Sequence, residues 1–431
     1  MSTTTPSLDL RDLAAATPQT RDRFVDALRA AAILTVVLGH WLIAVVTWDA
    51  AGPTAANALA EVPALQWLTW IFQVMPLFFV VGGFANRAAL LAGRRRGDGD
   101  AAYLRSRALR LVAPVVPLAV TWVVAGPVLR VVGIDADTVA LVTRLMAQPL
   151  WFLAVYLLVS AAAPWTLRAH ERRPAPVVVA FVAATVVNDL ARLPYVHVAN
   201  YLFVFLLAHQ LGYALGDGTL LRLGRRHLAA LAGAAGVVLV LLTGPGPYPR
   251  SMVGVPGEAM SNMSPPSVAI VALTALQLAL VLLVRPAAVR ALQGRRLWTA
   301  VVAVNASIMT IFLWHLTALV LGATILLATP IGFPQPPAGT GLWWATRLPW
   351  LAVLAVLLGG IVLVAGRMER SALRPPAGGP ERRLDLGGAL VAVAVTAAAL
   401  GALALEGFGG VTAVGATLGL CSLRRWWLGR R

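Results

Sequence analysis

Apolar runs of about twenty residues recur from near Leu28 to near Leu423, and this repetition of whole segments constrains the fold more than any single residue. A helix of that length rises roughly 30 Å, the thickness of the hydrocarbon core of a bilayer. Apolar windows bounded by Arg-bearing or Pro/Gly-rich breaks predict helices over 28–48, 66–90, 109–131, 146–166, 176–191, 198–216, 228–243, 267–284, 299–328, 349–366, 387–405 and 408–423. The expected fold is therefore all-α, a polytopic transmembrane helical bundle of roughly 10–12 spans with twelve the best count. Composition agrees, since only 12% of residues are charged and 59% are hydrophobic, whereas a soluble domain carries about a quarter charged residues. Residues 1–20 read as a polar, disordered N-terminus without the small-residue cleavage site of a signal peptide. Residues 21–366 read as the main membrane domain, 367–386 as a linker, and 387–431 as C-terminal membrane helices with a basic tail.

A net charge of +17 would ordinarily raise nucleic acid as a partner. The arginines instead fall in short bursts between the apolar runs, as loop charges that orient a membrane protein do, so no nucleic-acid partner is expected. With the N-terminus inside, 30 of the 35 basic residues lie in inside segments, and only Arg130, Arg144, Arg192, Arg250 and Arg347 lie outside. That asymmetry predicts a multi-pass protein of the cell membrane with both termini cytoplasmic. The single cysteine, Cys421, rules out an intramolecular disulfide. No two histidines have metal-ligand spacing, so no metal is expected.

Two segments depart from the simple pattern. The run 299–328 would be about 45 Å long as one helix, so it must tilt, break or extend beyond the bilayer. The outside loop 244–266 is dense in Gly and Pro and has no helical future; loops of this length are often lids or binding loops.

The first predicted helix carries Arg29 and His40. Eleven residues at about 100° each return them to within ~20° of one face, about 16 Å apart along the axis, with Arg29 at the inner edge and His40 near the midplane. Intramembrane ionisable residues are functional candidates by default. Asp26, one turn before Arg29, can pair with it. Further along, Arg107 and Arg110 are one turn apart at the inner face, where guanidiniums can clamp phosphate groups or anionic lipid. His315 lies at midplane depth in the run 299–328. His209 reads as a structural histidine; His170, His197 and His227 fall in solvated loops. Asn188, Asp189, Gln277 and Asn305 read as hydrogen-bonding groups between helices.

Taken in order, Asp26-x-x-Arg29 with ten residues before His40, Met75-Pro76-Leu77-Phe78-Phe79, Arg107-x-x-Arg110 before Pro114, Leu150-Trp151-Phe152-Leu153 and Phe312-Leu313-Trp314-His315 resemble the acyltransferase-3 family of membrane acyltransferases. The similarity covers roughly residues 20 to 365. It implies transfer of an acyl group, usually acetyl from acyl-CoA, to a hydroxyl of a carbohydrate or other envelope acceptor. Acyl-CoA would be a co-substrate, and no cofactor is implied. By this resemblance Arg29 and His40 form the hallmark pair, Arg107 and Arg110 help bind acyl-CoA, and Asp26 and Trp151 support the site. Gly82 departs from the family pattern, in which many members carry Ser before Gly-Phe.

The chemistry suits these residues. Acyl transfer to an alcohol calls for a general base, which a neutral imidazole can provide. His40 is the favoured base, with a transient acyl-histidine the other possibility, and His315 is a partner base or acceptor binder. A competing class is a secondary transporter, which twelve spans would also suit, although no internal repeat joins the two halves.

Overall fold

The computed structural model describes residues 10–18, 21–49, 52–191, 196–327, 334–373 and 385–427. In chain order the α-helices are α1 (Leu10–Ala15), α2 (Arg23–Ile43), α3 (Ala58–Glu61), α4 (Thr69–Phe72), α5 (Met75–Arg96), α6 (Asp100–Val131), α7 (Ala136–Ala147), α8 (Leu150–Arg172) and α9 (Pro174–Ala191). There follow α10 (Asn200–Gly216), α11 (Arg225–Thr243), α12 (Val268–Ala291), α13 (Arg295–Ala306), α14 (Ile308–Leu327), α15 (Gly341–Leu373), α16 (Leu386–Glu406) and α17 (Val411–Trp427). Among the described residues, 11 helical segments are long and apolar enough to cross a membrane. The twelfth predicted span, α17, has 17 residues and returns alongside α16 and α6. The protein is an all-α, multi-pass membrane bundle.

Long-range contacts show that successive helices alternate in direction. At one end, Arg94 at the end of α5 pairs with Glu171 at the end of α8, Arg168 pairs with Asp100 at the start of α6, and Arg285 near the end of α12 pairs with Asp22 before α2. Arg105 in α6 donates to the carbonyl of Trp427 at 2.7 Å, bringing the end of α17 to this Arg-rich end. At the other end, Asp189 near the end of α9 accepts from Tyr248 and from the backbone of Val268 at the start of α12.

The sequence reading is corrected at several places. Helix α2 stops at Ile43, five residues short of its predicted end, because β-branched Val45, Val46 and Thr47 continue as a strand. Strands β1 (Ala44–Asp49) and β2 (Gly52–Asn57) form an antiparallel hairpin with Ala44 opposite Asn57. The run 299–328, which was expected to tilt, break or extend, does break, at Ser307 between amphipathic α13 and apolar α14. Part of the N-terminus expected to be disordered is ordered: α1 packs on α13, where the indole of Trp298 donates to the carbonyl of Ala14 at 3.2 Å. Residues 1–9, residues 374–384 of the expected linker and the end of the basic tail lie outside the described residues.

His170 was expected in a solvated loop, but α8 extends through it and buries it. Its ring meets Gln210 at 3.1 Å and Asp217 at 3.0 Å, which ties the ends of α8 and α10. Burial pushes the Asp217 carboxyl up, but hydrogen bonds with Thr219 and His170 outweigh it and hold the group below its ordinary value.

The helices pack tightly where the sequence supplies glycine. A Cβ on Gly83 of α5 would lie 2.1 Å from the carbonyl oxygen of His209, and one on Gly212 of α10 would lie 2.1 Å from that of Val80. Two backbones in contact at this point hold α5 and α10 closer than side chains would permit.

Candidate active site

Helix α2 runs in the same direction as the consecutive helices α13 and α14 and is joined to them at two levels, to α13 near the Arg-rich end and to α14 further along. Near the Arg-rich end, Arg29 donates through Nε to the Oδ1 of Asn305 at 2.6 Å, while Asn305 donates to the Asp26 carbonyl at 2.9 Å. Asp26 also lies 3.6 Å from the Arg29 guanidinium and binds Arg21. Asn305 sits in the last turn of α13, so the chain break at Ser307 is what brings this amide to α2. Sequence reasoning assigned Asn305 only to helix packing; its place ten residues before His315, close to the eleven that separate Arg29 from His40, was the available signal.

Eleven residues beyond Arg29, His40 meets His315. The Nδ1 of His40 and the Nε2 of His315 are 3.1 Å apart, and the ring centroids are 5.0 Å apart. The Nδ1 of His315 lies 2.6 Å from the carbonyl oxygen of Phe312. A carbonyl only accepts, so the proton of neutral His315 sits on Nδ1 and its Nε2 is an acceptor. His40 must then donate through Nδ1, which leaves its Nε2 with a lone pair. The indole of Trp41 fixes the register by donating to the His315 carbonyl at 3.0 Å. His315 is fully buried.

The His40 ring opens onto a cavity of about 470 Å³. Its walls come from α2 (Val36, Gly39, His40), the segment 57–73, the start of α8 (Trp151, Phe152) and α14 (Phe312, Leu316), and Trp343 and Trp344 close one side. The loop 244–266 covers the cavity through Val253, Gly254, Met263 and Ser264. This cover is pinned in place: Asn262 donates to the carbonyls of Pro249 and Ser251, and the backbone of Met252 donates to the Thr69 hydroxyl at 2.8 Å.

Between the two levels lies an aromatic layer. Phe152 packs edge-on against Phe78, Phe79 and Phe312 with centroids 5.1 to 5.5 Å apart. Tyr156 joins the layer, and its ring fills the space beside Gly82: a Cβ there would lie 2.8 Å from Cε2 and 2.9 Å from the hydroxyl. A side chain at this position would require the Tyr156 ring to shift.

The candidate residues thus fall into three groups. His40, His315 and Trp151 gather at the cavity, and Arg29 and Asp26 gather about one helix-half away with Asn305. Arg107 and Arg110 form the third group and diverge: Arg107 turns inward, donating to the Ala85 carbonyl at 3.2 Å and lying over the Tyr103 ring, while Arg110 is exposed. Among the described residues no cluster of His, Cys, Asp and Glu could hold a metal.

The model of the acyltransferase-3 family, an acyltransferase domain, matches residues 22–366. The chain belongs to the acyltransferase-3 family. No curated protein and no solved structure matches it. The matched segment of this acyltransferase runs from the residue that caps α2 into α15, so it contains both joints of α2, to α13 and to α14, and the whole cavity wall. Helices α16 and α17 lie outside it and pack against α8 and α6.

Proposed function

We propose that this acyltransferase carries an acyl group, acetyl being the expected one, from acyl-CoA at the cytoplasmic side to a hydroxyl of a carbohydrate or other envelope acceptor held in the cavity. The observation that carries this reading is the His40–His315 pair. It presents an imidazole with an unprotonated Nε2 to a chamber of substrate size, on the same helix face as Arg29.

His40 is the general base. Its Nε2 takes the proton of the acceptor hydroxyl as the oxygen attacks the thioester carbonyl. The tetrahedral intermediate then expels the CoA sulfur, which receives the proton back from His40. His315 orients the base and stabilises the transient imidazolium through the His40 Nδ1–H, as the third member of a nucleophile–base constellation does. Arg29, held by Asp26 and Asn305, lies about 16 Å below, a distance that an extended pantetheine arm can cover. Arg29 with Arg107 and Arg110 at the Arg-rich end would receive the anionic end of acyl-CoA. The arginine asymmetry supports a cytoplasmic Arg-rich end, cytoplasmic termini and residence in the cell membrane.

The test is thiol release from acetyl-CoA by purified protein in liposomes, with envelope extract as acceptor. His40→Ala is expected to lower acceptor-dependent release at least about 100-fold while the protein elutes as the native species. Full activity in that variant would remove His40 from the mechanism.

A further inference from the structure

The walls of the cavity say what kind of acceptor fits. Among the described residues lining it, none is charged. Its polar side chains are largely committed to the protein itself. Gln73 donates to the Met252 carbonyl and accepts from the Met75 backbone. Thr69 donates to the Gln66 carbonyl and accepts from Met252. Asn57 caps α3 by accepting from Leu59, and Ser264 bonds with Tyr201.

What these bonds leave for a ligand is the His40 ring, exposed Gln148 and the indole N–H groups of the tryptophans. Indoles donate only, so apart from single remaining lone pairs on oxygens already bonded within the protein, the side-chain acceptors open to a ligand are His40 and Gln148. A sugar would bring several hydroxyl donors against two acceptors, and each unmatched polar group costs on the order of tenfold or more in affinity. An anionic acceptor would meet no counter-charge in a low-dielectric wall. The rim carries large apolar side chains, Leu68 at 42% exposed and Trp344 at 43% exposed, beside exposed Gln148 and Ser264. In a membrane-spanning bundle the side of the rim formed by Leu68 and Trp344 suits access from lipid.

We propose that the acyl acceptor is a neutral, mainly apolar alcohol that reaches the cavity from the bilayer, with its hydroxyl delivered to His40 and its skeleton against Trp151, Trp343 and Trp344. This rests on the acyl-transfer reading of the same site.

The experiment uses the full chain in liposomes with acetyl-CoA and compares farnesol, methyl glucoside and an anionic ω-hydroxy fatty acid, with esters quantified by mass spectrometry. Farnesol is expected to exceed both of the others in kcat/KM by at least about 100-fold. Trp344→Arg, a rim change, is expected to raise the KM for farnesol about tenfold with kcat within about twofold. Transfer to methyl glucoside or the anionic acid at a rate equal to farnesol overturns the proposal and leaves the acyltransferase reading standing. If only envelope extract is acylated, the mass of the product decides: a neutral lipid alcohol supports the proposal and a hydrophilic or charged acceptor overturns it. An absence of His40-dependent transfer to any of these acceptors removes the acyltransferase reading and the proposal together.

Discussion

A single carbonyl oxygen, that of Phe312, sets the protonation of both histidines through a chain of two hydrogen bonds. In the proposed mechanism this makes His315 a positioning residue with a role distinct from bulk. Its Nε2 accepts from His40, and a glutamine Oε1 can occupy that place, whereas a leucine cannot. His315→Leu is therefore expected to lower kcat about 100-fold, and His315→Gln less than about tenfold, each with KM for the acceptor nearly unchanged. Equal losses in the two variants would show that His315 matters only for packing. In the sequence, Arg29 and His40 were legible because helical spacing alone puts them on one face, and His315 because of its depth in an apolar run. Their pairing was not legible: His40 and His315 are 275 residues apart, and no local pattern records which helices become neighbours. Asn305 was missed as a partner of Arg29 for the same reason, since its bond depends on a chain break that hydropathy does not reveal.

At the level of helices, apolar segments betray themselves by length, while their ends are decided by local chemistry. The hairpin after Ile43 and the extension of α8 through His170 each replaced a predicted boundary, and the break at Ser307 fixed where the over-long run 299–328 divides. Each depends on a β-branched run, a short polar residue or a tertiary partner that averaging windows smooth over. The Gly82-Gly83 pair is the clearer case, because the structure shows which of the two glycines allows the close approach of α5 and α10. Backbone atoms, which cannot rotate away, face Gly83, so Gly83→Ala must push α5 from α10. That substitution is expected to destabilise the protein by about 3 kcal/mol or more, read as a lower thermal midpoint in detergent. Gly359 in α15 is exposed with nothing within 4 Å of its added Cβ, so Gly359→Ala is expected to be neutral or to stabilise by up to about 1 kcal/mol. Similar midpoints for the two variants would mean that α5 and α10 are not held by this contact.

For the whole molecule the question is which way the two ends face. The joint at Arg29 and the cavity at His40 lie at different levels of α2, so donor and acceptor can approach from opposite sides only if the Arg-rich end is cytoplasmic. The arginine asymmetry argues for that arrangement, because positive loops resist translocation. Two exposed positions report on it directly: Arg95 at the end of α5, on the Arg-rich end, and Ala55 in β2, in the hairpin at the other end. The sole natural thiol, Cys421, would first be changed to serine. In intact cells a membrane-impermeant maleimide is expected to label Ala55→Cys and to spare Arg95→Cys, which becomes reactive only after permeabilisation. The reverse pattern would place the Arg-rich end outside, where acyl-CoA is not supplied, and the route from Arg29 toward His40 could not carry a cytoplasmic donor. Labelling of both positions in intact cells would mean that the helices do not alternate across the membrane as their contacts imply.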